Sequence, residues 1–465
     1  MRILAVVVMG TVTLAAQAPL PLRGQRGQGP AAPAAQGQAA PNLPASPVVS
    51  PLAAASGDIS APGQMFQSLM ALPAGDDLAH FKYSTREYFV SGTANGQPYT
   101  TRIVVRTPSE ASRFSGVVLA ESMHPSGNAW MFHFTHTYTM DAGHAGVEIV
   151  TGDPAQLAEF NRARYRDLRV QPGQAGEILA QVGALLRSKR PDNPLAGVAV
   201  RRMILAGTSA SAGVLINYLP FHMAYRLADM KPIYDGLLPT SNGTNIRQVD
   251  VPMIQVPTTT EAARGLVPTR QDGDAPGDRF RVYEFPGMPH LDTRDVAAFR
   301  PNPCRHPITL FPLSAYMSVA LHHLVQWVDN GTVPPRADRI LVDRNTAGDG
   351  SLMALDEHGN PKGGVRSPYV DVPTARYGFP NEGAAPPTPN TVPWVALRGE
   401  AGIDQLCRLT GYQVPLTAAH LKTLYASKQN FLARVRQRVD ELTRQGWSLP
   451  IYRARILADA EHVTF

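Results

Sequence analysis

The chain has 465 residues, 44% hydrophobic and 17% charged, a globular balance that excludes a wholly disordered protein and suffices for one large core or two moderate ones. Its formal charge of +6 does not mark a nucleic-acid binder. Arg2, Arg23 and Arg26 carry half of that excess ahead of residue 41, and no cluster of Lys and Arg with interleaved aromatics follows.

Residues 1–18 read as a secretory signal, with Arg2 early, an apolar run from Ile3 to Leu14, and Ala16-Gln-Ala18 as a cleavage site. The run is too short to span a bilayer, and no later segment is long and apolar enough to do so. A periplasmic or secreted protein without a membrane span is therefore expected. Residues 19–58, rich in Ala, Pro, Gln and Gly, cannot build a core and read as a disordered tether.

From residue 59 to about 335 the pattern is that of a catalytic core. Ser84 to Ser91, a turn over 92–96, and Tyr99 to Arg106 predict a hairpin. Strands follow at 116–121 and 145–150, with helices at 130–141 and 176–186, the latter carrying Ile178, Leu179, Val182, Leu185 and Leu186 on one face. Met203 to Ala206 is a buried strand leading into a turn and a packed helix. Strands are expected again at 234–238, 251–256 and 280–285, then a long helix over 312–330. The alternation predicts an α/β fold, a mostly parallel sheet with helices on both faces. Residues 336–465 read as a Pro/Gly-rich irregular segment followed by a helical C-terminal region packed on the core. Cys304 and Cys407 are either bridged, as export permits, or two buried small hydrophobes, and neither has metal-ligand spacing.

The chemistry centres on Gly207-Thr-Ser-Ala-Ser211, where strand, Gly-x-Ser-x-small turn and helix together make a nucleophile elbow. Ser209 is the candidate nucleophile and Ser211 its rival; the bland alternative is that both merely cap the helix. The expected base is His290, on a loop that Gly287 turns back over the sheet, and the expected acid is Glu261, with Asp272 as rival in what reads as a long loop. The oxyanion hole is assigned to the N–H of Ala210 and an N–H from the loop 122–127, with Met123 or His124 as donor, and His124 and Ser211 are assigned to substrate binding. Glu121 reads as a structural acceptor. His133 and His136, one helical turn apart, read as one helix face rather than a metal pair. No metal or cofactor is implied.

The runs Leu119-Ala-Glu-Ser-Met-His-Pro-Ser126, Gly207-Thr-Ser-Ala-Ser211, Val251-Pro-Met-Ile-Gln-Val256, Phe285-Pro-Gly-Met-Pro-His290, Gly331-Thr-Val-Pro-Pro335 and Gly363-Gly-Val-Arg-Ser-Pro368 resemble the bacterial "alpha/beta hydrolase domain" family, secreted serine hydrolases of largely unassigned substrate. Where that family's elbow usually has Gln this chain has Ala210, and where its early strand ends Glu-Trp-Leu-Asn this chain has Ser122 and His124 in place of Trp and Asn. These changes fall at the site mouth and bear on substrate preference. The family's acidic pair appears as Thr259 and Glu261, leaving Glu261 the one carboxylate. The resemblance implies an α/β-hydrolase fold and a small ester-type substrate turned over through a Ser-His-Glu triad. An amidase, lactonase or acyltransferase would use the same residues, and a binding protein could keep the fold without the chemistry.

Overall fold

The structure, a computed structural model, describes residues 43–59, 65–294, 302–342, 352–384 and 399–465. The expected signal segment 1–18 and the tether as far as residue 42 lie outside them.

A single ten-stranded sheet organises the chain. In chain order its strands are β1 (Ala54–Ala55), β2 (Tyr83–Ala94), β3 (Gln97–Pro108), β4 (Val117–Ser122), β5 (Ala145–Ile149), β6 (Arg202–Thr208), β7 (Gly236–Thr240), β8 (Met253–Gln255), β9 (Gly273–Ala275) and β10 (Asp278–Val282). Their order across the sheet is β9-β10-β8-β7-β6-β4-β5-β3-β2-β1. The six strands from β10 to β5 in that order run parallel, and the pairs β9–β10, β5–β3, β3–β2 and β2–β1 are antiparallel. The hairpin turn is tighter than the sequence suggests. Strand pairing continues to Ala94 and Gln97, and the chain reverses through Asn95-Gly96 alone, both at positive φ (50° and 69°). That backbone matches the twist of the flanking strands.

Alternating side chains of the parallel strands feed two separate cores. Val117, Leu119, Ile204 and Ala206 point to the face covered by α1 (Trp130–Asp141), whose residues Trp130, Met131, Phe134 and Tyr138 join the same core. Val118, Ala120, Met203 and Leu205 point to the opposite face, which α2 (Ala175–Leu186) and α3 (Ala210–Ala224) cover. The first core also takes in α5 (Leu313–Asn330), and α7 (Lys428–Arg444) closes over it with Val435 and Val439, followed by Trp447, Tyr452 and Ile456. Between these lie the short α4 (Thr259–Ala263) and α6 (Gly399–Thr410). Two stretches expected to be irregular carry backbone pairing, which needs no apolar residues. Val48–Val49 pairs with Tyr225–Arg226 and Ala54–Ala55 with Val90 and Ser91, so the tether is pinned before residue 58; residues 273–275 form an edge strand rather than a long loop.

Beneath the antiparallel half lies a buried ionic cluster. The guanidinium of Arg102, fully buried, reaches Glu87, Glu148 (2.9 Å) and the Phe66 carbonyl (2.6 Å), while Arg164 and Arg106 meet the same two carboxylates at 2.8 and 3.3 Å. The cluster ties the incoming segment at Phe66 to β2, β3 and β5. Removing Arg102 takes its fully buried guanidinium from both carboxylates and leaves each with one cation. Arg102→Leu is expected to lower stability by about 3–5 kcal/mol, read from the urea midpoint; an unchanged midpoint would show that Arg106 and Arg164 suffice.

Candidate active site

Strand β6 ends at Thr208, and the next residue, Ser209, has φ 53° and ψ −117° before α3 begins at Ala210. A positive φ at a residue with a Cβ costs on the order of 1–3 kcal/mol and persists only where the surroundings impose it. Here the Ser209 N–H donates to the Thr240 carbonyl at 3.0 Å and its carbonyl accepts from Gly213 at 3.1 Å. Its hydroxyl makes no capping bond. The Ser211 hydroxyl braces the turn: its Oγ accepts from the Thr208 N–H and donates to the Thr208 carbonyl, both at 2.9 Å, and the residue is buried. The substrate-binding role expected of Ser211 is therefore corrected, since its hydroxyl is committed in both directions to the turn. Ala210, first residue of α3, has an N–H with no intrahelical partner, as every helix start does.

The second part of the site is a hydrogen-bonded pair. Beyond β10 the chain turns through Gly287 (φ 90°) and brings buried His290 to Glu261, Nδ1 to Oε1, at 2.8 Å. Glu261 sits in α4, one turn after β8, in a capping box with Thr258: its Oε2 accepts from the Thr258 N–H at 2.9 Å and the Thr258 hydroxyl at 2.6 Å. The helix is fastened to the histidine loop through Thr259, whose N–H and hydroxyl donate to the carbonyls of Met288 (3.0 Å) and Phe285 (3.1 Å). Burial pushes the Glu261 carboxyl up, but the charge of His290 and the bonds from His290 and Thr258 outweigh it and hold the group below its usual range. An ionised Glu261 can only accept, so His290 donates from Nδ1 and keeps the Nε2 lone pair as a base. The rival acid lies elsewhere: Asp272 faces Arg339 at 3.4 Å and Arg281 at 4.0 Å.

Ser209, Glu261 and His290 thus follow the C-terminal ends of β6, β8 and β10, which share one edge of the parallel sheet. The loop after β4 belongs to that edge too, but it does not offer the amide expected. The Met123 N–H donates to the Ile149 carbonyl at 2.8 Å and the His124 N–H to the Asn128 carbonyl at 3.0 Å. Met123 is corrected as an oxyanion donor because the ladder with β5 continues one residue past the strand. His124 itself is held neutral over most of the pH range, lowered to about 4 by burial and by the nearby His290. Glu121 accepts from the N–H groups of Met131 (2.9 Å) and Phe132 (2.8 Å) at the start of α1. His133 and His136 are buried with ring centroids 6.0 Å apart, and among the described residues no group of three or more His, Cys, Asp or Glu could hold a metal ion. Among those residues, too, no helix is long and apolar enough to cross a membrane.

Two contributors escaped the sequence reading. Thr258 was legible, because Thr-x-x-Glu is the capping-box pattern. Leu409 was not: its carbonyl accepts the His290 N–H at 3.0 Å across the fold. Two residues before it on α6, Cys407 forms a disulfide with Cys304, so the expectation left open resolves to a bridge, and no cysteine is free.

A family model described as alpha/beta hydrolase domain matches residues 46–458. No curated protein matches the chain. Among solved structures it is similar to esterase Est22 at 11% identity, over 40% of this chain and 68% of that one, with a TM-score of 0.27. It is similar to a lipase/esterase from Lactobacillus plantarum at 14% identity, over 39% and 81%, with a TM-score of 0.27. A third is EstE1, a thermostable carboxylesterase cloned from a metagenomic library, at 16% identity over 36% and 49%, with a TM-score of 0.24.

The bridge closes a loop with a sequence separation of 103 and anchors the helix that holds the histidine loop. In the chain-entropy account a loop of that length is worth about 4–5 kcal/mol. Reduction should lower the melting temperature and, at temperatures where the reduced chain is still folded, lower turnover as His290 loses its Leu409 anchor. Full turnover in reduced, folded protein would show that the loop holds without it.

Proposed function

The chain belongs to the alpha/beta hydrolase domain family, and from that premise we propose that it is a serine hydrolase of small carboxylic esters, working by acyl transfer to Ser209 and then to water. The observation that carries the reading is the division of labour at the elbow. Ser209 is held at positive φ with its hydroxyl unused by the turn, while the Ser211 hydroxyl is spent on both backbone groups of Thr208. A serine kept merely as a cap would accept with its hydroxyl from the free amides at the helix start.

In the proposed cycle Ser209 Oγ attacks the ester carbonyl carbon as His290 Nε2 takes its proton. The carbonyl oxygen becomes an oxyanion facing the Ala210 N–H at the positive end of α3. Collapse breaks the bond to the alcohol oxygen, which leaves with the proton from His290, and the acyl group stays on Ser209. Water then repeats the sequence: His290 accepts one of its protons, the hydroxyl adds to the acyl carbon, and Ser209 departs as the free acid forms. Glu261 stays ionised throughout, fixing the Nδ1–H tautomer and stabilising the imidazolium. An exported protein suits both the N-terminal segment and the disulfide, since cytosolic thiols are kept reduced. The proposed location is accordingly the periplasm or the exterior.

A fluorophosphonate should label Ser209, mapped by peptide sequencing, and Ser209→Ala should lower p-nitrophenyl acetate turnover by roughly three or more orders of magnitude with an unchanged melting curve. A label on Ser211, or no label on folded protein, would remove the assignment. Glu261→Gln should leave KM nearly unchanged and cut kcat by about 10⁴, whereas Asp272→Asn should do little. If Asp272→Asn abolishes turnover while Glu261→Gln is nearly silent, the acid has been misplaced.

A further inference from the structure

The loop after β4 has a problem of supply. In this fold the second oxyanion donor is a backbone N–H from that loop. Here the amides of Met123, His124, Ser126, Gly127 and Ala129 donate to the Ile149 carbonyl, the Asn128 carbonyl, His124 Nδ1, the His124 carbonyl and the Ser68 carbonyl in turn, and Pro125 has no N–H. Among those described, the Asn128 amide alone is left in the loop.

The side chain of His124 offers what the backbone does not. Its Nδ1 accepts the Ser126 N–H at 3.0 Å and lies 2.8 Å from Ser126 Oγ, which in turn is 3.1 Å from Asn128 Oδ1 and takes the Trp130 indole N–H at 3.0 Å. A backbone N–H is always a donor, so the nitrogen it points at must present a lone pair. The hydrogen of the neutral ring is then on Nε2, a tautomer set by the loop itself. No described residue accepts from that Nε2. Protonation would set an Nδ1–H against the Ser126 N–H, a clash that reinforces burial and the proximity of His290 in keeping the ring uncharged.

Register brings the two loops out from neighbouring strands. Strands β4 and β6 pair from Val117 with Arg202 to Glu121 with Ala206, about 4.8 Å apart, and end at Ser122 and Thr208, so His124 and Ser209 each follow within two residues of adjacent strand ends on one edge of the sheet. We propose that the Nε2–H of His124 is the second oxyanion donor, paired with the Ala210 N–H across the carbonyl oxygen of a substrate bound at Ser209. The role rests on the serine-hydrolase reading and makes His124 a catalytic residue rather than a lining one. A neutral donor of fixed tautomer suits it, because an imidazolium would also repel the charge that forms on His290.

The experiment uses the full chain, with p-nitrophenyl acetate as substrate and a trifluoromethyl ketone as the analogue that forms an oxyanion on Ser209. Fluorophosphonate labelling and hydrolysis by the unsubstituted protein come first, so that failure of the hydrolase reading appears there and not in the variants. His124→Phe should then lower kcat by about 10²–10³ with KM within about threefold, and weaken ketone binding by a similar factor; His124→Gln, which keeps a donor, should stay within about tenfold of the parent. A His124→Phe protein whose kcat and ketone affinity remain within about threefold of the parent would overturn the proposal and give the role to the Asn128 N–H. Should His124→Phe not fold, His124→Ala takes its place: a fall of about 10²–10³ in kcat and ketone affinity in folded protein supports the donor, and both within about threefold of the parent overturn it.

Discussion

The site depends on how closely β6 approaches α3. At Gly207 a Cβ would lie 2.5 Å from the carbonyl oxygen of Ser211, a backbone atom that cannot step aside, so no side chain fits. That approach lets Ser211 clasp Thr208 from both sides and forces the intervening Ser209 to positive φ. The strain is local and the restraint is distributed: the Ser209 N–H is held by β7 and its carbonyl by α3. The Ser209 hydroxyl is thereby presented at the sheet edge, unused by the turn.

Two buried glutamates at the same edge meet opposite fates, and the difference is the charge of what they face. Glu121 accepts only from amides at the start of α1, too little to offset its loss of solvent, and its carboxyl is pushed up to about 8. Glu261 faces a histidine that can carry charge and a threonine that gives it two hydrogen bonds, and it stays ionised. The edge therefore holds one firm negative charge, hydrogen-bonded to His290, and a second carboxyl that helps anchor a helix.

The histidine loop is held from both sides of the fold. Thr259 binds its backbone from α4, and Leu409 binds it from α6, which the Cys304–Cys407 bridge secures. The C-terminal region is thus more than a cover for the first core: a segment remote in sequence fixes the amide of His290. Loops carry function most reliably when a rigid scaffold supports them, and here the scaffold includes the tail.

By itself the sequence determined whatever is encoded locally. Alternation, helical periodicity and small residues around Ser209 placed the strands and helices of the parallel half within a few residues, as with the helix at 130–141, because each such signal is written in neighbouring positions. The chain order of Ser209, Glu261 and His290 was legible for the same reason, as was their place after successive strands. Tertiary structure decided what depends on partners far apart. It committed the Met123 N–H to Ile149, spent the Ser211 hydroxyl on Thr208, recruited Leu409 to His290, and joined two cysteines with a separation of 103. Short edge pairings such as Ala54–Ala55 and Gly273–Ala275 also went unread, since backbone hydrogen bonds carry their pairing and leave little trace in side-chain pattern. A donor or acceptor is free only after every neighbour has been placed, so which groups remain for chemistry is a property of the folded molecule.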